Sequence, residues 1–217
     1  MNTTHLPNFL QSILVWRRKA RIKQALSKIV VKDDLSVLDI GCGIDGRSFE
    51  DFIPKSWSVV GVDQHDDARI FHTHPNFKYI QGDAADLSEF KDLEFDLAIS
   101  IGMLEHITEM EMFYKVVQNI RRVARQYIVI VPWKFALVEP HYGVPFFPIF
   151  PYRLKLFIIK ILNLSNHRQA VLDDPEYVNK NFMWLSNSEY KKYFPDSRIY
   201  IAPTLDCIAI VRSDNNK

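Results

Sequence analysis

The chain has 217 residues, a formal net charge of +1, 47% hydrophobic and 24% charged residues. That composition fits a single globular domain with a sizeable buried core, and it excludes wholesale disorder and collagen-like structure. Two cysteines, Cys42 and Cys207, are too few for a multi-bridge disulfide framework or a four-cysteine zinc site.

Residues 1–32 hold seven Lys or Arg and no Asp or Glu. Apolar positions at Ile13, Leu14, Ile22, Leu26, Ile29 and Val30 predict one or two helices with a basic face. That face reads first as a solvated surface, and alternatively as a contact for anionic lipid or RNA. The apolar run Phe9–Trp16 precedes the cluster Arg17, Arg18, Lys19, Arg21, the reverse of a secretory signal. The best apolar stretch, Val144–Leu162, contains Pro145, Pro148, Pro151, Arg153, Lys155 and Lys160, which argues against a membrane-spanning helix. The expected location is the cytoplasm, free or against a membrane surface.

From Leu35 onward, short apolar runs, most of them rich in Val and Ile, recur at Val37–Ile40, Val59–Val62, Phe77–Ile80, Leu97–Ile101 and Tyr127–Val131. Continuous rather than alternating hydrophobicity predicts strands buried on both faces, as in a parallel sheet. Between the last two runs, Met112, Phe113, Val116, Val117, Ile120 and Val123 predict a helix over Glu109–Arg125. The crossover near Ala68–His72 is short. Strands alternating with helices define an α/β core over residues 35–132.

Residues 133–185 are written differently, with 11 of the 28 aromatic residues and five of the 11 prolines. This segment is read as a lid inserted after the fifth strand, covering the sheet's carboxyl edge, with one helix over Tyr152–Leu164. Residues 186–217 close the domain with a helix over Asn187–Phe194 and strands Arg198–Ile201 and Cys207–Val211. The whole chain is thus one α/β domain: a mostly parallel seven-stranded sheet flanked by helices, an N-terminal basic helix and an aromatic-rich lid.

Six of the seven glycines fall between residues 41 and 102. Gly41, Gly43 and Gly46 follow the first strand, Gly61 is near the end of the second, Gly82 ends the third and Gly102 the fourth. Ligands of open α/β sheets bind at these strand ends. Asp39, Asp63 and Asp83 stand beside them, and a carboxylate there can accept hydrogen bonds from ribose hydroxyls. Gly41-Cys42-Gly43-Ile44-Asp45-Gly46, with Asp63 about 20 residues on, also fits a dinucleotide fingerprint, so NAD competes as the ligand. Against NAD stand Asp39, a carboxylate suited to arranging the loop around an ammonium group; Gly82-Asp83-Ala84, suited to an adenine amino group; and the run Phe95–Ser100 leading into Met103-Leu104-Glu105-His106.

The segments Val37–Gly43, Val60–Asp63, Gly82–Ala84 and Phe95–His106 together resemble the class I S-adenosylmethionine-dependent methyltransferases over residues 35–132. Glu139–Pro145, Trp184-Leu-Ser and Tyr193-Phe-Pro resemble bacterial small-molecule members. The resemblance implies a Rossmann-like fold and S-adenosylmethionine as cofactor. It implies that Gly41, Cys42 and Gly43 approach the methionine part and that Asp39 supports its ammonium end. It further implies Asp63 on the ribose, Gln64 beside the adenine, Asp83 and Ala84 at the adenine edge, and Ser100, Ile101 and Met103 flanking the methionine part. One departure is Asp45, where many members have glycine. The reaction so implied is methyl transfer to a small-molecule, sugar or lipid-linked acceptor, with oxygen as the expected atom. The alternatives are an NAD-dependent oxidoreductase and a non-catalytic binding module.

An oxygen acceptor must lose a proton, and His106, Glu139 and His141 are the candidate catalytic groups. His106 reads equally well as a structural cap, and Glu139 as a loop anchor. The cluster Asp63, His65, Asp66, Asp67, His72, His74 lacks a metal-ligand spacing, and no metal is expected. Phe146, Phe147, Phe150, Tyr152 and Phe157 either shape an apolar acceptor site or pack the lid, with Arg153, Lys155 and Lys160 near lipid head groups. Peripheral membrane contact is therefore an expected partner interaction, whereas nucleic acid is not.

Overall fold

The computed structural model describes residues 8–43, 52–66, 74–162, 165–174 and 176–214. Seven strands form one sheet in the order β3-β2-β1-β4-β5-β7-β6. They are β1 Ser36–Ile40, β2 Ser58–Asp63, β3 Phe77–Gln81, β4 Phe95–Ile101, β5 Ala124–Pro132, β6 Arg198–Ile201 and β7 Cys207–Arg212. The first five are parallel, while β7 runs antiparallel to both β5 and β6. This is a Rossmann-like sheet, with the strand order reversing between β3 and β4, so the carboxyl ends of β1 and β4 lie side by side. A crevice at such a reversal is where open α/β sheets take their ligands.

Side-chain alternation along the strands divides the core in two. Leu38, Ile40, Ala98, Tyr127, Val129 and Val131 face a cluster with α2 (Met110–Val123) and α6 (Asn187–Tyr193). Val37, Leu97, Ile99, Ile128 and Ile130 face α1 (Asn8–Leu26), through Ile22 and Ala25. Helix α2 buries Phe113, Val116, Val117, Ile120 and Val123 along one stripe, each worth about 1.5–3 kcal/mol. It stops where Ala124 turns extended and β5 begins at once, two residues before the end expected from periodicity. Helix α6 starts on a capping box between Ser186 and Glu189, which fixes its first turn.

The lid has a separate apolar cluster made of Tyr142, Val144, Phe147, Ile159, Val171, Val178 and Phe182. Among the described residues it holds three α-helices rather than the one expected: α3 Tyr152–Ile161, α4 Ser165–Asp173 and α5 Tyr177–Asn181. One expectation for its cations is corrected, and of the two readings of its aromatics, packing holds for three of them. Lys155 is buried, 4.8 Å over the Trp184 ring and 5.8 Å over Phe147, so it does not face a head-group layer. Burial holds its pKa below the ordinary lysine value. Phe147 is fully buried with Phe150 and Tyr152 packed on its cluster, so these three build the lid rather than line a cavity.

The basic face of α1 is also divided. Arg17 and Arg21 turn inward onto the fully buried Asp206, at 2.8 and 3.3 Å, instead of presenting a continuous cationic surface with Arg18 and Lys19. Asp206 attracts them because an isolated buried carboxylate would carry a heavy desolvation cost. No helix among the described residues is long and apolar enough to cross a membrane.

Candidate functional site

A cavity of about 650 Å³ opens beyond the carboxyl ends of β1, β2, β3 and β4. Gly41, Gly43, Asp63, Gln64, Asp83, Ala84, Met103 and His106 line it, together with Val62, Thr108, Glu109, Met112 and Val116 from β2, the turn after β4 and α2. Eight residues singled out from the sequence therefore meet at one place. The volume is in the range of pockets that enclose a small ligand, about 300–1,000 Å³.

Four expected cofactor residues stand apart from that lining. Asp39 and Ser100 are buried in β1 and β4, Cys42 is buried behind the loop, and Ile101 borders a second cavity. The Ser100 hydroxyl finds no hydrogen-bond partner among the described residues. Ile44, Asp45 and Gly46 lie outside the described residues, as do Asp67–His72 and with them the expected short crossover.

The walls are tied to one another. The Gly43 amide donates to Asp63 Oδ2 at 2.9 Å, and Asp63 Oδ1 meets the His65 ring. Asp83 Oδ1 accepts from the Ala85 amide at 2.8 Å, which folds the turn after β3. Gly41 has φ +77° and is pressed against Met103, whose Cγ would lie 2.6 Å from an added Cβ. A Cβ at Gly43, which lines the cavity, would meet nothing within 4 Å among the described residues. Gly61, by contrast, serves packing: an added Cβ would strike the Phe77 ring at 2.4 Å. Its position near a strand end is not a ligand signal.

A smaller cavity of about 160 Å³ adjoins the first and shares Gly102 with it. Arg21, Glu105, His141 and Cys207 contribute its polar groups. Here the fully buried Glu139 accepts from the His141 and Tyr142 backbone amides, both at 2.7 Å, and lies 2.7 Å from His141 Nδ1. The acceptor oxygen of Glu139 places a proton on Nδ1 and leaves Nε2 on the opposite side, 3.8 Å from Glu105 Oε1. Burial opposes the charged imidazolium, but the hydrogen bond and charge of Glu139 and the charge of Glu105 hold the His141 pKa above its ordinary value. Burial pushes Glu105 up to about 7.

His106 accompanies them in a 3-10 turn, Leu104–His106, with Nδ1 3.1 Å from the Asn181 carbonyl of the lid. Glu105 had no assigned role in the sequence, although it stands between Leu104 and His106. Among the described residues, the converging set of three ligand-type side chains is Glu105, His106 and His141, well away from the Asp63–His74 group considered from sequence.

A doubly wound sheet with a carboxylate-bearing, ligand-sized cavity over its strand ends defines a nucleotide-cofactor enzyme fold. Residues 38–129 match the model of a family described as a methyltransferase domain. Among solved structures, the chain is similar to a methyltransferase of Haloferax volcanii in complex with the Trm112 methyltransferase activator (14% identity, 94% of this chain and 93% of that one, TM-score 0.55). It is also similar to S-adenosylmethionine-dependent methyltransferases of Archaeoglobus fulgidus (17%, 89% and 76%, 0.55) and Aquifex aeolicus (13%, 89% and 89%, 0.53). These likenesses concern the fold. No curated protein matches the chain in sequence.

Over residues 38–129 the chain carries a methyltransferase domain, in a fold shared with S-adenosylmethionine-dependent methyltransferases, which indicates S-adenosylmethionine as the cofactor. The residues present suit that ligand: Asp63 and Asp83 offer carboxylates to a cavity of sufficient volume, and the Gly41 and Gly43 backbone borders it. The NAD-dependent and non-catalytic alternatives are set aside.

Proposed function

We propose that this enzyme methylates a hydroxyl oxygen of a small-molecule, sugar or lipid-linked acceptor, and that the acceptor enters the smaller cavity beside Gly102. One observation carries the reading: a buried carboxylate, Glu139, fixes the His141 imidazole at the wall of that cavity. When bound, S-adenosylmethionine supplies a methyl group on a positively charged sulfur, which needs no acid to leave. The protein's remaining tasks are to align the acceptor, exclude water and accept the hydroxyl proton.

In this reading His141 Nε2 takes that proton, Glu139 is the positioning residue that sets the ring's tautomer, and His106 packs against the same ring with centroids 5.4 Å apart. Asp63 holds the ribose, with Gln64 beside the adenine and Asp83 and Ala84 at its edge. Gly41, Gly43 and Met103 border the methionine part, and Asp39, Cys42, Ser100 and Ile101 support that end from behind.

The test is methyl transfer from radiolabelled S-adenosylmethionine to matched hydroxyl and amine acceptors. Hydroxyl compounds are the expected substrates. Replacement of His141 with alanine is expected to reduce turnover by about 10²–10⁴-fold with S-adenosylhomocysteine affinity unchanged. Turnover confined to amines, or insensitive to His141→Ala, would overturn the reading.

A lipid-linked acceptor is favoured by one surface feature. Helix α3 exposes Leu154, Phe157 and Ile161 at helical spacing, with Leu162 after it and the exposed Arg153 and Lys160 alongside. An apolar face flanked by cations suits the interface of an anionic bilayer. Co-sedimentation with anionic vesicles, lost in Phe157→Glu, is the expected result; no sedimentation with or without anionic lipid removes this part.

A further inference from the structure

We infer that Glu105, His106 and His141 form a site for one divalent transition-metal ion, at the wall between the cofactor cavity and the acceptor cavity. One ligand atom from each of the three lies within 4.8 Å of the others. Two imidazoles and one carboxylate are a donor set that suits zinc, iron, cobalt or manganese in its divalent state, and three protein ligands leave coordination positions open to a substrate.

The local geometry points the same way. His141 Nε2 and Glu105 Oε1 are 3.8 Å apart, too far for a hydrogen bond. Ligand atoms that each sit ~2.0–2.2 Å from a tetrahedral zinc ion stand ~3.3–3.6 Å apart, so this gap is within a few tenths of an ångström of that for a shared ion. A separation of 4.8 Å closes by about 1.2 Å to reach the same spacing, and His106, the exposed member, can supply that movement.

Independent evidence for a missing ligand comes from Glu105. Its side chain is 2% exposed, and Oε2 has no hydrogen-bond partner among the described residues. A buried carboxylate oxygen left in that condition is costly. Metal coordination would satisfy it.

The outer contacts also have the form seen around metal-bound histidines, whose second ring nitrogen is engaged by a carboxylate or a carbonyl. His141 Nδ1 meets Glu139 Oε1 at 2.7 Å, and His106 Nδ1 meets the Asn181 carbonyl at 3.1 Å. These contacts turn Nε2 of His141 towards Glu105 and tie both rings to the lid. Phe182 closes the site from one side, with ring centroids 4.7 Å from His141 and 5.1 Å from His106.

The ion's open positions would face the acceptor cavity, which Glu105, His141 and Gly102 line. A hydroxyl bound there is acidified by the cation. This deepens the hydroxyl-acceptor reading and rests on it for its chemical purpose, though not for the binding itself. It also changes one assignment: in the loaded protein, His141 Nε2 is a ligand, and the hydroxyl proton leaves the cation-bound oxygen for solvent.

The experiment is a metal titration of the full chain after chelation and dialysis. Zinc chloride is followed by calorimetry, and cobalt(II) chloride by its visible absorption. The expected result is one ion per chain with the cobalt spectrum of a four- or five-coordinate nitrogen–oxygen site. Glu139→Gln is expected to weaken binding about 10- to 100-fold, and Glu105→Gln and His141→Ala by more. Thermal melting and S-adenosylhomocysteine binding identify the folded variants. Should Glu105→Gln fail to fold, Glu139→Gln and His141→Ala still decide the matter. No stoichiometric binding, or binding undiminished in the folded variants, overturns the site. The hydroxyl-acceptor reading fails by a different observation, the absence of methylated hydroxyl product, whether or not an ion binds.

Discussion

Asp63 and Gly43 clasp two walls of the cofactor cavity: the Gly43 amide donates to Asp63 Oδ2 at 2.9 Å, across 20 residues of chain. The carboxylate that the sequence marks for the ribose thus also fixes the first glycine loop. Asp63→Ala is expected to lower S-adenosylhomocysteine affinity by about 1–3 kcal/mol, or roughly 5- to 150-fold. Asp63→Asn retains one carbonyl oxygen and should lose less. Calorimetric titration of both variants checks this, and unchanged affinity in folded Asp63→Ala would overturn the role given to Asp63.

Gly41 meets two demands that no other residue satisfies. Its φ of +77° is in the left-handed region, and an added Cβ would stand 2.6 Å from Met103 Cγ. Gly41→Ala is expected to destabilise the fold by about 1–3 kcal/mol and to weaken cofactor binding as Met103 shifts. Adding Met103→Ala removes the collision and leaves the backbone strain, so the double variant should recover part of the lost stability. Urea denaturation of the two variants separates these contributions.

The central sheet was legible in the sequence because the parallel strands are written as short apolar runs, most of them rich in Val and Ile, and the glycines and carboxylates at their ends mark the cavity. Val37–Ile40 and Val59–Val62 each lie within one residue of the strand bounds. Other features depend on contacts far apart in the chain. Arg17 faces inward because Asp206, 189 residues away, is buried beside it. Glu105 is buried under the lid, where Met183 donates to its backbone carbonyl at 2.8 Å, and nothing local announces this. The helix over Tyr152–Leu164 was expected, but α4 and α5 were missed because the lid's apolar residues pack on each other rather than on the sheet. Lys155, which reads as a surface cation, is enclosed by Phe147 and Trp184.

The inward turn of α1 has a measurable consequence. Asp206 is fully buried and pairs with both Arg17 and Arg21, whose side chains are each 18% exposed. Asp206→Ala leaves two largely desolvated guanidinium groups and is expected to cost about 3–5 kcal/mol. Removing the cations as well, in Arg17→Met/Arg21→Met/Asp206→Leu, should restore much of the loss, because an apolar replacement of a buried ion network is often neutral. Equilibrium urea unfolding measures both. A loss under about 0.5 kcal/mol for Asp206→Ala would mean that α1 is not anchored through this network.

Asp196 provides a pH-dependent contribution to stability. Partial burial opposes its charge, but hydrogen bonds from the Tyr127 hydroxyl (2.7 Å) and from Arg212 (3.0 Å), with the charge of Arg121, outweigh burial and hold its carboxyl below the ordinary range. The folded state then binds the proton less readily than the unfolded chain, so this stabilisation is complete above the ordinary carboxylate pKa of about 3.9. It is lost as pH falls through the lower folded value. Because the side chain is 34% exposed, solvent and salt screen part of the interaction, and Asp196→Asn is expected to cost about 1–2 kcal/mol at neutral pH. The difference between variant and parent should shrink below about pH 4, and it should diminish in high salt. Urea unfolding of both proteins from pH 7 to pH 3 checks the sign: a difference that widens on acidification would mean that the Tyr127–Asp196–Arg212 contact does not hold the carboxylate ionised.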